Sequence, residues 1–393
     1  MKKILAVLLC LMMLLAVGCG EKDASQSGSG AESQSAGSQS AESQPEEQGP
    51  AYPVRADRNL LTGEYDEGAH TVRPVAVMIN DLPGAYPHWG ISSARVVVEA
   101  LSEGKYPSMM CLLDNRSEMP QMGPVGPGRD IMWQLAMPAD SVLMQIGGNI
   151  YAENLLNQYQ YQNLDGYYVG VTAFDFDRDR DAAGYPNEYC WYTKQELLNN
   201  GMNQYGMDPA TDEALPLLEF SGETVVPEGS QPANRLQIGF SPEATVPLYY
   251  EDGRYLKDSY NGDLHMDVAN DTQLAFENCV VLFCAAGVKD DGYTRDYDLT
   301  EGTGVYMTQG TYLPIRWQKG RPEQPVRLFT MEGEPVLVNP GRTYLAVYGG
   351  FDGQWIAVQQ DDTALELPEV PGTAPAEPDP VESVPEEAAP EEE

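Results

Sequence analysis

Glu99 and Glu103 stand four residues apart in ISSARVVVEALSEG. A helix over this stretch would place both carboxylates on one face, opposite a stripe of Ala94, Val97, Val98 and Leu101. Two carboxyl groups so placed suit acid–base cleavage of a glycosidic bond, provided burial keeps one of them protonated. The plainer reading is a solvated acidic helix face. Arg129 follows GPVGPG at the start of a predicted helix, where unpaired backbone N–H groups and the helix dipole favour an anion such as a carboxylate. Pro124 and Pro127 remove two donors from that loop and Gly-x4-Gly-Lys-Ser/Thr is absent, which argues against a nucleotide. Asp175, Asp177, Asp179 and Asp181 alternate as at the start of a calcium loop, yet its sixth and twelfth positions hold Arg180 and Pro186. Ion pairing of these aspartates with Arg178 and Arg180 is the simpler expectation. His70, His88 and His265 are too few and too scattered to suggest a metal site, and neither a Gly-x-Ser-x-Gly elbow nor a Cys/His catalytic signature is present. The many tyrosines suit glycan stacking or plain strand packing.

The elements that would position these groups alternate. RPVAVMIN (73–80), SMMCLLDN (108–115) and SVLMQIG (141–147) read as buried strands. Between and after them come three predicted helices: the ISSARVVVEALSEG stretch capped by Ser92 or Ser93, RDIMWQLAM stopped by Pro138, and NIYAENLLNQY capped by Asn149. Parallel strands need crossovers, so this order predicts an α/β fold with a three-layer, mostly parallel sheet over 53–202. Residues 203–238 read as an irregular linker. Short aromatic and β-branched segments separated by Gly turns then predict a smaller, mainly antiparallel β-rich domain over 239–358. A fixed orientation with a crevice between the two domains is expected. Ligands of open α/β sheets collect beyond the C-terminal strand ends. Asn80, Asp114, Arg129, Gly147 and Gly148 are therefore predicted to line such a site.

The chain ends carry a different message. Lys2 and Lys3 precede an apolar run that reaches Ala16-Val17-Gly18-Cys19, which resembles the bacterial lipobox. Residues 1–19 are thus read as a lipoprotein signal peptide, with Cys19 lipidated and retained. Residues 20–52 are Ser, Gly, Gln and Glu in the main, a disordered tether with an r.m.s. reach of about 30 Å. Residues 359–393 form a Pro/Glu tail without Lys or Arg, predicted to be disordered and to add nothing to stability. The formal net charge of −37 argues against nucleic acid and anionic lipid as direct partners. Cys111, Cys190, Cys279 and Cys284 are read as buried thiols: Cys279 and Cys284, five apart in a strand, point to opposite faces and cannot pair with one another. No CxxC is present, and no metal or cofactor is expected.

The segments RPVAVMIN, PHWGISSARVVVEALSEG, MGPVGPGRD and QIGGN, followed by HMDVANDTQLAFENCVVLF and TYLPIRWQKGRPEQPVRLFTMEGEPVLVNPGRTYLAVY, resemble in order the two domains of the YerB-like lipoprotein family, the domain of unknown function 3048. That family has no established reaction. Gly126-Pro127-Gly128-Arg129 keeps only the last Arg of the family's Arg-Ser-Ala-Arg run. Gln145 stands where a His precedes Gly-Gly, and Tyr185-Pro186-Asn187 where Pro-His-Asn is usual. If those positions form a site, most of its titratable groups are gone here. The expectation is a monomeric, non-enzymatic lipoprotein on the extracytoplasmic face of the membrane. It would be held there by its lipid anchor and would bind a cell-wall component or an envelope protein. The alternative is a glycan-cleaving enzyme built on Glu99 and Glu103.

Overall fold

A computed structural model describes residues 57–68 and 71–372. Cys19, its signal sequence, the tether and the end of the tail lie outside these residues.

Five strands open the fold: β1 (Val75–Ile79), β2 (Val96–Ala100), β3 (Ser108–Leu113), β4 (Val142–Gln145) and β5 (Asn163–Asp165). Helix α1 (Asp130–Ala136) precedes β4 and gives way to a single turn around Pro138. Helix α2 (Ile150–Gln158) follows it, and the Asn149 side chain accepts the Ala152 N–H at 2.9 Å as the predicted N-cap. Helix α3 (Gly166–Val169), the two-residue strand β6 (Asp175–Phe176), helix α4 (Arg178–Ala182), strand β7 (Trp191–Tyr192) and helix α5 (Gln195–Tyr205) complete the first half.

The second half is strands: β8 (Gln231–Pro232), β9 (Arg235–Ser241), β10 (Ala244–Glu251), β11 (Arg254–Lys257), the short pair β12 (Met266–Asp267) and β13 (Thr272–Gln273), β14 (Ala275–Phe276), β15 (Asn278–Val288), β16 (Arg295–Thr308), β17 (Thr311–Gln318), β18 (Arg327–Phe329), β19 (Pro335–Val336), β20 (Thr343–Tyr348), β21 (Trp355–Gln360) and β22 (Thr363–Ala364). A 12-stranded sheet runs β19-β18-β17-β16-β15-β20-β2-β3-β1-β4-β5, with β8 paired to β17. It spans 203–238, because β2 pairs in parallel with β20, Val97 facing Tyr344. The fold is mixed α/β with this large central sheet. Parallel pairings join β4 to β1 and β5, and β20 to β2 and β15; the rest are antiparallel. A second, antiparallel sheet has the order β14-β11-β10-β9-β21-β22.

The first predicted helix is a strand. Ser92 and Ser93 belong to a single 3-10 turn, and Val96–Ala100 is β2, all five residues buried. Three consecutive β-branched valines favour the strand, and burial on both faces erases the alternation that would have signalled it. One core cluster joins Val75, Val77 and Ile79 of β1 to Leu236, Ile238 and Phe240 of the second sheet. Ala76 and Met78, on the opposite face of β1, pack with Ile131, Trp133 and Leu135 of α1 and Leu156 of α2.

The tail expectation also needs correction. Residues 361–372 pack on the body: β22 pairs with β21, Leu365 N–H bonds to Val358 O at 2.9 Å, and Leu365, Leu367 and Val370 pack on the core. Three apolar side chains in an otherwise Pro/Glu stretch are enough to dock it. Cys111, Cys190, Cys279 and Cys284 are buried and form no disulfide.

Candidate functional site

Where the two sheets meet, six ionisable side chains share a buried interior: Asp81 after β1, His88 in the following loop, Glu99 in β2, Lys257 at the end of β11, His265 before β12, and Tyr344 in β20. Each is at most 3% exposed. Glu99 and Tyr344 meet because Val97 pairs with Tyr344 across the parallel β2–β20 ladder, which puts Glu99 on the same face two residues on. The Tyr344 hydroxyl donates to Glu99 Oε2 at 2.6 Å, and Lys257 Nζ lies 3.0 Å from Glu99 Oε1. Lys257 Nζ is also 2.9 Å from His265 Nδ1, His265 Nε2 is 2.9 Å from His88 Nδ1, and His88 Nε2 is 3.0 Å from the Asn80 carbonyl.

The ends of this chain assign its protons. A lysine only donates and a carbonyl only accepts, so His265 Nδ1 accepts from Lys257 and His88 Nε2 donates to Asn80. In neutral rings His265 Nε2–H then donates to His88 Nδ1. Burial drives the His88 pKa down to about 3, with the Lys257 charge adding to the effect and the Asn80 bond opposing it. Burial, and then the Lys257 charge, push His265 well below its ordinary value. Asp81 moves the other way: burial and the charge of Glu99 raise it, against Lys257 and the 2.6 Å bond from the Tyr86 hydroxyl. Its Oδ1 lies 3.6 Å from His88 Nε2, while its buried Oδ2 has no hydrogen-bond partner. Among the described residues, Asp81, His88 and His265 are the group whose donor atoms could share a metal ion.

Asp267 locks the loop carrying His88. Its carboxylate accepts from Gly90 N–H at 3.0 Å, Ser92 N–H at 2.9 Å and Ser92 Oγ at 2.6 Å. Gly90 has φ of +80°, and a Cβ there would stand 2.2 Å from the Gln121 carbonyl.

Beside this loop opens a pocket of about 460 Å³ lined by Pro87, Trp89, Gln121, Asp177, Arg180 and Tyr185, with Val268 and Ala269 from the second half of the chain. Arg180 is stacked between two rings, its Cζ 4.6 Å from Trp89 and 4.1 Å from Tyr185. Its terminal nitrogens donate to the Pro87 carbonyl at 2.8 Å and to the Ala85 carbonyl, and it makes no ion pair with the acidic run. Asp177 of that run accepts the N–H groups of Asp179 and Arg180 at 3.0 and 2.9 Å, the cap of α4.

The predicted site residues divide into three places. Glu103 Oε2 is 2.8 Å from Arg129 Nη2, and its Oε1 accepts from Asn149 at 3.0 Å, so the Arg129 charge is already matched. Gly147 and Gly148 stand against the same loop: Gly128 N–H bonds to Gly147 O at 2.8 Å and Gly128 bridges to Gly148. Asn80 and Glu99 belong instead to the buried chain. Asp114 lies at the other end of the sheet, bound by Arg95 at 3.0 Å and Asn59 at 2.7 Å, because β3 runs antiparallel to β1. Glu99 and Glu103 share no helix face. None of these residues lines the pocket.

Sequence reasoning does not single out Asp81, Lys257, Tyr344 or Trp89, and it sets His88 and His265 aside as too scattered. His88 and His265 are 177 residues apart, so their scatter in sequence concealed a direct contact. The usable signal was a lone glutamate in VVVEALS, a charge in a run too apolar to be a surface.

Residues 61–208 match the family described as "Protein of unknown function (DUF3048) N-terminal domain", and residues 236–345 match its C-terminal domain. The chain belongs to the DUF3048 family. A curated relative, "Putative lipoprotein YerB" of Bacillus subtilis (strain 168), is 26% identical over 308 residues, covering 76% of this chain and 88% of the relative. A crystal structure of YerB protein from Bacillus subtilis superposes with a TM-score of 0.65 at 23% identity over 76% of this chain and 99% of that one, a likeness of fold. The DUF3048 segments hold all six buried ionisable residues, three in each.

Proposed function

We propose that this DUF3048 protein is a lipid-anchored binding protein on the extracytoplasmic face of the membrane. Its ligand, a cell-wall component or an envelope protein segment, would sit in the pocket beside Trp89. The pocket itself carries the reading. Its wall of Trp89, Tyr185 and Pro87 offers apolar and ring surface, and Gln121 and Asp177 supply hydrogen-bonding groups at its edge. That combination suits a ligand with a flat apolar face and hydroxyl or amide groups, as in a wall sugar or its peptide. The lipobox at Cys19 and the lipoprotein name of the Bacillus subtilis relative support the location. No helix among the described residues is long and apolar enough to cross a membrane.

The alternative, glycan cleavage by Glu99 and Glu103, loses its support with the helix it needed. Glu99 is sealed against Lys257 and Tyr344, and Glu103 is held by Arg129. Calorimetric titration of the detergent-purified chain with muropeptides, wall polymers and envelope extracts should find a saturable ligand, bound at least tenfold more weakly by Tyr185→Ala. Saturable binding unaffected by Tyr185→Ala would move the site elsewhere, and the absence of any binder would refute the proposal. Release of fragments from purified sacculi by wild type, but not by Glu103→Gln, would restore the enzyme reading.

A further inference from the structure

We propose that Asp81, His88 and His265 form a binding site for one divalent transition-metal ion of the zinc class, tying the two halves of the chain together from inside. The proposal is independent of the pocket and its ligand. One donor atom from each residue lies within 4.8 Å of the other two, and all three side chains are buried. Two imidazoles and a carboxylate are the mixed nitrogen and oxygen donor set that zinc and its neighbours prefer.

A second observation points the same way. Asp81 Oδ2 is sealed from solvent without a hydrogen-bond partner, and the other oxygen of the same carboxyl group, Oδ1, lies 3.6 Å from His88 Nε2. Formal charge leaves room for a cation as well. Metal binding would hold Asp81 as the carboxylate, and beside Glu99 the cluster offers one ammonium, Lys257, for two carboxylates. The ion would take the place of the hydrogen between His265 Nε2 and His88 Nδ1; that proton goes to solvent, and the Lys257 proton pointed at His265 Nδ1 passes to that nitrogen, so that His265 binds as a neutral imidazole and two carboxylates face one dication beside a neutral amine.

The outer contacts of His88 and Asp81 already have the form that metal ligands need. His88 is oriented by the bond from its Nε2–H to the Asn80 carbonyl, which leaves Nδ1 for the ion, and Asp81 is held through Oδ1 by the Tyr86 hydroxyl. Lys257 meets His265 on the nitrogen that faces away from His88, and its proton there would supply the N–H that a ligating imidazole carries on its far nitrogen. The two ring nitrogens stand 2.9 Å apart. Tetrahedral zinc with bonds of about 2.0–2.1 Å needs its donors about 3.3 Å apart, so the rings would separate by a few tenths of an ångström.

The test uses the full chain, purified in detergent with any affinity tag removed, stripped with chelator, reloaded with Zn²⁺ and desalted. Plasma mass spectrometry should then find about one retained ion per chain, lost in His265→Gln and Asp81→Asn and kept in Glu103→Gln. Retention below about 0.1 equivalent by a wild-type chain that circular dichroism shows to be folded would overturn the site. Equal retention by the folded His265→Gln and Asp81→Asn variants would overturn it too. X-ray absorption at the zinc edge needs no variant. The chain has three histidines, so scattering from two imidazoles and oxygen is the expected shell, and an all-oxygen or sulfur-containing shell refutes the assignment.

Discussion

Replacing Lys257 with Met removes the cation paired with a fully buried glutamate, and the cost can be worked from the structure. Glu99 Oε1 lies 3.0 Å from Lys257 Nζ, and the two side chains are 0% and 1% exposed. After the substitution Glu99 keeps only the Tyr344 hydroxyl, and a buried charge stripped of its partner costs about 3–5 kcal/mol. At an m-value of about 3 kcal/mol/M, that lowers the urea midpoint by about 1–1.7 M. Glu99→Gln, which strands the ammonium instead, should cost a similar amount. Glu99→Leu combined with Lys257→Met leaves neither charge and should recover most of the loss, because desolvation cancels much of the attraction in a buried pair. The measurement is urea unfolding of chelator-treated wild type, singles and double, followed by far-UV circular dichroism. Single losses below about 1 kcal/mol that simply add in the double variant would refute the reasoning, since they would mean that water reaches the pair.

Stability of chelator-treated protein should fall as pH drops below about 6.5. There the unfolded chain binds protons at His88 and His265, while the folded chain holds His88 unprotonated down to about 3 and His265 lower than its ordinary value. Each histidine contributes a slope of about 1.4 kcal/mol per pH unit, offset in part by Asp81, whose raised pKa gives the opposite sign; His88→Asn should flatten the plot of urea midpoint against pH. Truncation after Val358 should cost about 2–4 kcal/mol, measured as a loss of several degrees in melting temperature, because it removes Leu365, Leu367 and Val370 from the core. Truncation after Gly372 should leave the melting temperature unchanged. Cys19→Ala should abolish palmitate labelling and membrane fractionation, since the diacylglyceryl group supplies the buried chains.

The sequence alone determined whatever depends on neighbours along the chain. The apolar run ending in Cys19, the caps and stops of α1 and α2, and the buried strands β1, β3 and β4 are local signals, and the last five stand where they were expected. The family resemblance, read from ordered segments, needed no geometry either. Tertiary structure decided the rest. Val96-Val97-Val98 became strand β2 because a partner on each side and a core on each face were available, and no periodicity within those residues could say so. That strand turned Glu99 from a helix-surface acid into a buried partner of Lys257, and the antiparallel β3 carried Asp114 to the far end of the sheet. Leu365, Leu367 and Val370 docked a stretch whose composition reads as disordered, because burial depends on the hollow that receives an apolar side chain as well as on the segment that bears it. The meeting of His88 with His265 is set only where two sheets pack, since two imidazoles acquire a shared chemistry through distance and exclusion of water, neither of which is written in spacing along the chain.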